Sequence, residues 1–208
     1  MNKSRIEALS DGVFAIVMTL IVIEIKVPKL KLGASDAEIW TEIYHLLPLF
    51  GAYMLSFAVL TTYWVSHYYL ITFLAKNVDR VLGYLNLLFL LAVALIPFSA
   101  SLLGLYNQNQ LSVFCYGGHL LLIAAILYGM RQYVVHNPKI ENSNLDPQDL
   151  RYAKIRIWVP IFMTVLGISI SFISLNLALF CFIIPLIISI IPGAVAFLDR
   201  KVGRFLGR

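Results

Sequence analysis

Six apolar runs dominate the chain, at 6–27, 45–74, 82–104, 111–135, 155–174 and 177–198. Each matches the roughly 20 residues that a helix needs to cross a bilayer. The second run is longer than a perpendicular crossing requires, so it tilts or lays its first turns around Pro48 in the interface. The last two are parted only by Ser174, Leu175 and Asn176, a break that turns one overlong helix into a tight antiparallel pair. Pro97, Pro160, Pro185 and Pro192 lie inside the runs, where proline is tolerated if neighbouring groups satisfy the carbonyls it frees. The longest polar stretch, 136–154, reads as a connector between the first four spans and the last two. Within it Asp146 has the position of an N-cap and Pro147 that of the first helical residue. The expected fold is an all-α polytopic membrane protein, one six-helix domain over 1–208.

The first run differs from the others in carrying Glu7, Ser10, Asp11, Thr19 and Glu24. A charge at the centre of a span costs about 2.5–3.5 kcal/mol on the insertion scale, and less near the ends. Asp11 lies only a little over a turn inside the span, so it should face protein or water. At 100° per residue, Gly12, Ile16, Thr19, Leu20, Ile23 and Val27 share roughly 100° of arc, with Glu7, Ser10 and Asp11 on the other side. The polar flank needs partners within its own subunit. His67, at similar depth in the second run, is expected beside Asp11, with Trp64 and Arg80 as further members of the cluster. A polar cluster at one depth reads first as glue between helices. The apolar stripe reads, from its residues alone, as a surface facing lipid or a neighbouring helix. Glu24, at the opposite end, reads as an interfacial attractant for cations.

Composition places the chain in the membrane class. Of its 208 residues 60% are hydrophobic and 13% charged, and the mean hydropathy is +0.84. A soluble chain is about 45–50% apolar and about 25% charged. Disorder and a disulfide-stapled secreted fold are excluded on the same grounds, since Cys115 and Cys181 are the only cysteines. No cleavable signal is evident, so the first span is expected to stay.

Charge then orients the spans. Lys3 and Arg5 precede span 1, and Lys76 and Arg80 follow span 2. Arg131, Lys139, Arg151, Lys154 and Arg156 fall between spans 4 and 5, and Arg200, Lys201, Arg204 and Arg208 follow span 6. With six spans all of these share one side, leaving Lys26, Lys29 and Lys31 opposite, diluted by Asp36, Glu38 and Glu42. Both termini are therefore expected in the cytoplasm. The net charge of +5 reflects this basic rim near anionic lipid, not a nucleic-acid surface. His45, His67, His119 and His136 are scattered, without metal-ligand spacing. The sequence shows no catalytic constellation, and neither enzyme activity nor a cofactor is expected.

The segment from Arg5 to Ile25 resembles the first-helix signature of the transmembrane protein 175 family, potassium channels of lysosomes and many prokaryotes. That signature is an Arg, three variable positions, Phe-Ser-Asp, then an Ile/Thr/Leu-rich run. Arg5, Ser10, Asp11, Gly12, Val13, Phe14, Ala15, Ile16 and Thr19 match, while Leu9 stands where the family usually has Phe. Trp64-Val65-Ser66-His67 is similar to the family's Trp-x-x-His. The resemblance implies one six-helix repeat per chain, a homotetramer in a prokaryotic plasma membrane, and a central pore lined by first helices. It implies an Ile constriction at Ile16, with Leu20 and Ile23 beyond it and Thr19 as a polar layer. Arg5, Ser10, Asp11, Trp64 and His67 become a structural network behind the pore, and K+ the permeant ion. Stacked apolar rings gate by dewetting. No Thr-Val-Gly-Tyr-Gly filter is present, so selectivity for potassium over sodium should be modest. A secondary transporter would need polar groups on broken midplane helices, and Ile183–Ile191 has almost none. A proton leak through the same bundle, or a non-transporting scaffold, are further alternatives.

Overall fold

Five of the helices start on polar side chains that accept from their own first turn. A computed structural model describes residues 2–142, 147–191, 193, 194 and 197. Asn2 caps α1 (Lys3–Leu20) and Ser35 caps α2 (Asp36–His45). Asp79 caps α4 (Arg80–Ala94), Asn109 caps α6 (Gln110–Val135) and Ser174 caps α8 (Leu175–Ile190). Such a cap satisfies one of the N–H groups that a helix start leaves without a partner. α3 (Leu47–Tyr69) and α5 (Ile96–Leu105) instead begin with proline in the first turn, and α7 runs Pro147–Ile170. Pro147 thus opens a helix as expected, while Asp146 lies outside the described residues.

Several boundaries differ from the run lengths. Span 1 ends at Glu24, not Val27, because α1 tightens into a 3₁₀ turn over Ile21–Glu24. Its rise is about 2.0 Å per residue, so the phase of Ile16, Thr19 and Leu20 does not extend unchanged to Ile23. Val27 lies in the extended chain beyond. The α2 helix was not expected. It is held by a capping box in which Ser35 N–H donates to Glu38 Oε2 at 2.8 Å, and none of its residues is buried. The third run is two helices, parted at Leu95 ahead of Pro97. The last two runs turn at Ser171–Ser174, and Leu175 and Asn176 already belong to α8. Pro192 and the basic residues from Arg200 onward lie outside the described residues.

Among the described residues, four helical segments are long and apolar enough to cross a membrane: Lys3–Glu24, Leu47–Leu74, Arg80–Leu105 and Gln110–Val135. α8 is apolar but shorter, and α7 carries Arg151, Lys154 and Arg156 in its first three turns. These two pack as a hairpin. A Cβ on Gly167 would lie 2.6 Å from Phe182 and 3.0 Å from the Ala178 carbonyl, so only glycine permits this approach.

Two features fix the α1 start against the bundle. α3 ends in a π turn, Leu70–Leu74, where Ala75 N–H donates to Leu70 O at 3.0 Å. Lys3 Nζ donates to the Thr72 and Ala75 carbonyls there, at 2.8 and 2.9 Å, and Thr72 Oγ1 donates to Glu7 at 2.9 Å. The chain after α6 is tied to the same corner, with Lys76 N–H on Ile140 O and Asn142 N–H on Leu74 O. The first part of the connector is therefore fastened to the α3–α4 turn.

Candidate functional site

α1 has two unlike faces. Ile6, Ser10, Phe14, Val17 and Ile21 are buried against the protomer, at the three- and four-residue spacing of one helical stripe. Opposite them Ile16 is 58% exposed, Leu20 43% and Ile23 62%. Only 28% of this span's apolar window is buried, against 44–50% for the other three long spans. The face expected to line a pore is therefore uncovered by its own subunit. Thr19 lies exposed on it and donates to the Ala15 and Ile16 carbonyls at 3.0 and 2.8 Å. Its proton is held by the helix, which leaves the oxygen lone pairs free for a cation.

Behind this face a polar relay ties α1 to α3 and α4. His67 Nε2 lies 2.6 Å from Asn86 Oδ1, and Asn86 Nδ2 donates to Ser10 Oγ at 3.3 Å. Ser10 Oγ donates onward to Ile6 O at 2.8 Å. With Asn86 so oriented, His67 Nε2 carries the proton. All three side chains are buried. His67 stacks on Phe89 with ring centres 5.0 Å apart and planes at 4°, and Phe14 packs against both rings.

Asp11 does not pair with His67 by a hydrogen bond. It accepts from Trp64 Nε1 at 2.8 Å. The reason is helical phase: Ser10 and Asp11 point about 100° apart, and Ser10 takes the buried direction toward Asn86. Asp11, on the exposed flank, meets the half-buried indole one turn before His67. Arg5 and Arg80, expected near the cluster, are exposed and make no hydrogen bond to it.

Sequence reasoning missed Asn86, the central member of the relay. Its signal was a lone carboxamide inside the Leu-rich third run. It also missed His119, whose Nε2 lies 2.9 Å from Ala92 O and Nδ1 2.8 Å from Ser99 Oγ. A carbonyl only accepts, so Nε2 holds the proton, and the ring bridges the α4–α5 break. Among the described residues no group of three or more His, Cys, Asp or Glu could hold a metal ion.

The family profile of the endosomal/lysosomal potassium channel TMEM175 matches residues 5–97, the stretch that contains α1 from Arg5 onward and the whole relay. The chain is 33% identical to a potassium channel of Chryseobacterium sp. (strain P1-3), over 99% of this chain and 98% of that protein. It is 24% identical to the endosomal/lysosomal proton channel TMEM175 of Danio rerio, over 68% of this chain but 28% of that longer protein. The fold is similar to the crystal structure of a lysosomal potassium-selective channel TMEM175 homolog from Chamaesiphon minutus, with a TM-score of 0.75 and 28% identity over 89% of this chain and 94% of that one.

Proposed function

We propose that this chain, which belongs to the TMEM175 family, forms a potassium-permeable channel whose conduit is lined by the open face of α1 from several copies. The supporting observation is that α1 leaves Ile16, Leu20 and Ile23 bare on a face its own subunit does not cover. A membrane helix with a polar anchor on one side and an uncovered apolar stripe on the other suits a shared axis. The bacterial relative matched end to end is a potassium channel, which favours this ion as cargo.

In this reading the protein is a homotetramer of single six-helix domains in a prokaryotic plasma membrane, with both termini cytoplasmic. Ile16 closes the narrowest ring, and Leu20 and Ile23 stack beyond it. Such a ring excludes ions by dewetting, because an ion cannot shed its shell without replacement ligands. Thr19 oxygens supply part of that replacement between the rings, giving preference for potassium over sodium without strictness. The Ser10–Asn86–His67 relay and the Asp11–Trp64 bond fix the rotation of α1, and so which residues face the axis.

Proton conduction is the second reading, favoured by the vertebrate relatives, which are named proton channels. Liposomes with a potassium gradient and an internal pH dye separate the two. Downhill potassium flux without coupled ion movement is expected. Ile16→Ala and Ile16→Asn should raise it and Ile16→Trp should lower it. If flux is the same in all three, Ile16 is not the constriction, and acidification without potassium flux would favour the proton reading.

A further inference from the structure

We propose that the cavity between α3, α5 and α8 holds one acyl chain of a bilayer phospholipid, with the ester region hydrogen-bonded at its rim. The cavity has a volume of about 550 Å³, within the range of about 300–1,000 Å³ typical of ligand pockets. Leu55, Leu103, Leu179 and Ile183 form apolar walls, and Asn107, Gln108 and Asn176 bring three carboxamides. Among the described residues no ionisable side chain lines it.

This chemistry selects the occupant. The apolar walls suit a hydrocarbon chain, and the carboxamide N–H groups suit uncharged acceptors such as ester carbonyls. A free fatty acid would bring a carboxylate to a rim without a cation, which is costly away from water. The placement agrees. Asn107 and Gln108 follow the end of α5, and Asn176 lies in the first turn of α8, at the level where spans leave the hydrocarbon. The cavity runs from that level inward along α3 and α8, from Asn176 to Ile183 and from Leu47 to Leu55, about 10–12 Å at helical rise. Its rim adjoins exposed Tyr106 and Phe180, so it opens onto the surface that lipid covers.

Gly51 lines this cavity and leaves room in it. It lies on the cavity wall inside α3, where glycine weakens a helix relative to alanine. At Gly104 that cost serves close packing, because a Cβ there would meet Leu49 at 2.7 Å. At Gly51 a Cβ would meet nothing within 4 Å. Packing does not demand glycine there, and a side chain would project into the cavity.

The test uses the full chain in phosphatidylethanolamine/phosphatidylglycerol vesicles doped with phosphatidylcholine carrying a diazirine in one acyl chain. After photolysis, labelled peptides are quantified by mass spectrometry. Adducts on 47–55 and 179–183 should exceed those on the lipid-facing side of α6 several-fold. Gly51→Leu should reduce them to the α6 level. Gly129→Leu, at an exposed α6 glycine whose Cβ would also meet nothing within 4 Å, should leave them unchanged. Leu179→Trp is a second cavity-filling variant should Gly51→Leu fold poorly by size exclusion. Equal labelling of cavity and α6 segments in the native protein, or no loss in a folded filled variant, overturns the proposal. So does cross-linking of Phe180→Cys between copies with no cavity label, which would make a second copy the occupant.

Discussion

Asp11 lies within a span, where its carboxyl group accepts from the Trp64 indole N–H at 2.8 Å. A hydrogen bond contributes about 0.5–1.5 kcal/mol, and up to about 3 kcal/mol when one partner is charged. Trp64→Phe should therefore lower thermal stability in detergent by about 0.5–3 kcal/mol. Adding Asp11→Asn should recover part of that loss, because the amide tolerates a missing donor better than a carboxylate does. Equal stability of Trp64→Phe and the native protein would show the contact to be incidental. Asp79, outside the spans, offers a second residue-level test. Burial opposes its charge, but the Tyr133 hydroxyl and the Leu82 backbone N–H donate to its two oxygens and hold the carboxyl below its usual range. A depressed folded-state value stabilises above the unfolded value of about 3.9, and that stability disappears as pH falls through the folded one. The melting-temperature gap between native protein and Asp79→Asn should hold at neutral pH and narrow below about pH 4. The sequence disclosed which residues were out of place in a span, Asp11 and His67, but not their pairing. A rotation of about 100° between Ser10 and Asp11 assigned the buried relay to one and the indole to the other. Asn86 was the missing link because one carboxamide among leucines does not say what it faces.

At the scale of elements, the apolar runs located the long helices but concealed their interruptions. Pro97 divides the third run because it has no N–H and crowds the preceding turn. What the run could not disclose is that His119, from α6, takes the Ala92 carbonyl at the break. The Ala92 carbonyl also accepts from the Leu95 N–H at 3.1 Å, so His119→Leu removes one of its two donors and should lower stability by about 0.5–1.5 kcal/mol. In the His119→Leu background Pro97→Ala should restore much of the loss, since a continuous helix lets the Ile96 N–H occupy Ala92 O. Additive losses in the double variant, read from urea or thermal unfolding in detergent, would show that the histidine does not serve the kink. The α2 helix escaped notice for another reason. Ten residues rank below any membrane span, and its capping box Ser35-x-x-Glu38 is a local signal that a search for long runs passes over.

For the molecule as a whole, α1 is the long span least covered by its own protomer, and that exposure is where a single chain's sequence stops being informative. Phase calculation separated the Ile16 stripe from the buried one, yet phase alone does not distinguish lipid from a shared aqueous axis. Cysteine chemistry does. In a Cys115→Ser, Cys181→Ala background, Ile16→Cys, Leu20→Cys and Ile23→Cys place thiolates where several copies would converge. Soft thiolates bind Cd2+ well, and a ring of them around an axis would hold the ion in the path. Cadmium should then block potassium flux through Ile16→Cys vesicles, reversibly with a dithiol chelator. Val17→Cys, 3% exposed against the protomer, should remain insensitive. Water-soluble maleimides should label Ile23→Cys, nearest the mouth, faster than Ile16→Cys. If lipid-soluble maleimide alone labels Ile16→Cys and cadmium leaves its flux unchanged, the stripe faces acyl chains and the conduit must be sought elsewhere in the bundle. Labelling and block together would place α1 at the axis by two routes, since a thiol facing lipid reaches neither the aqueous reagent nor the metal.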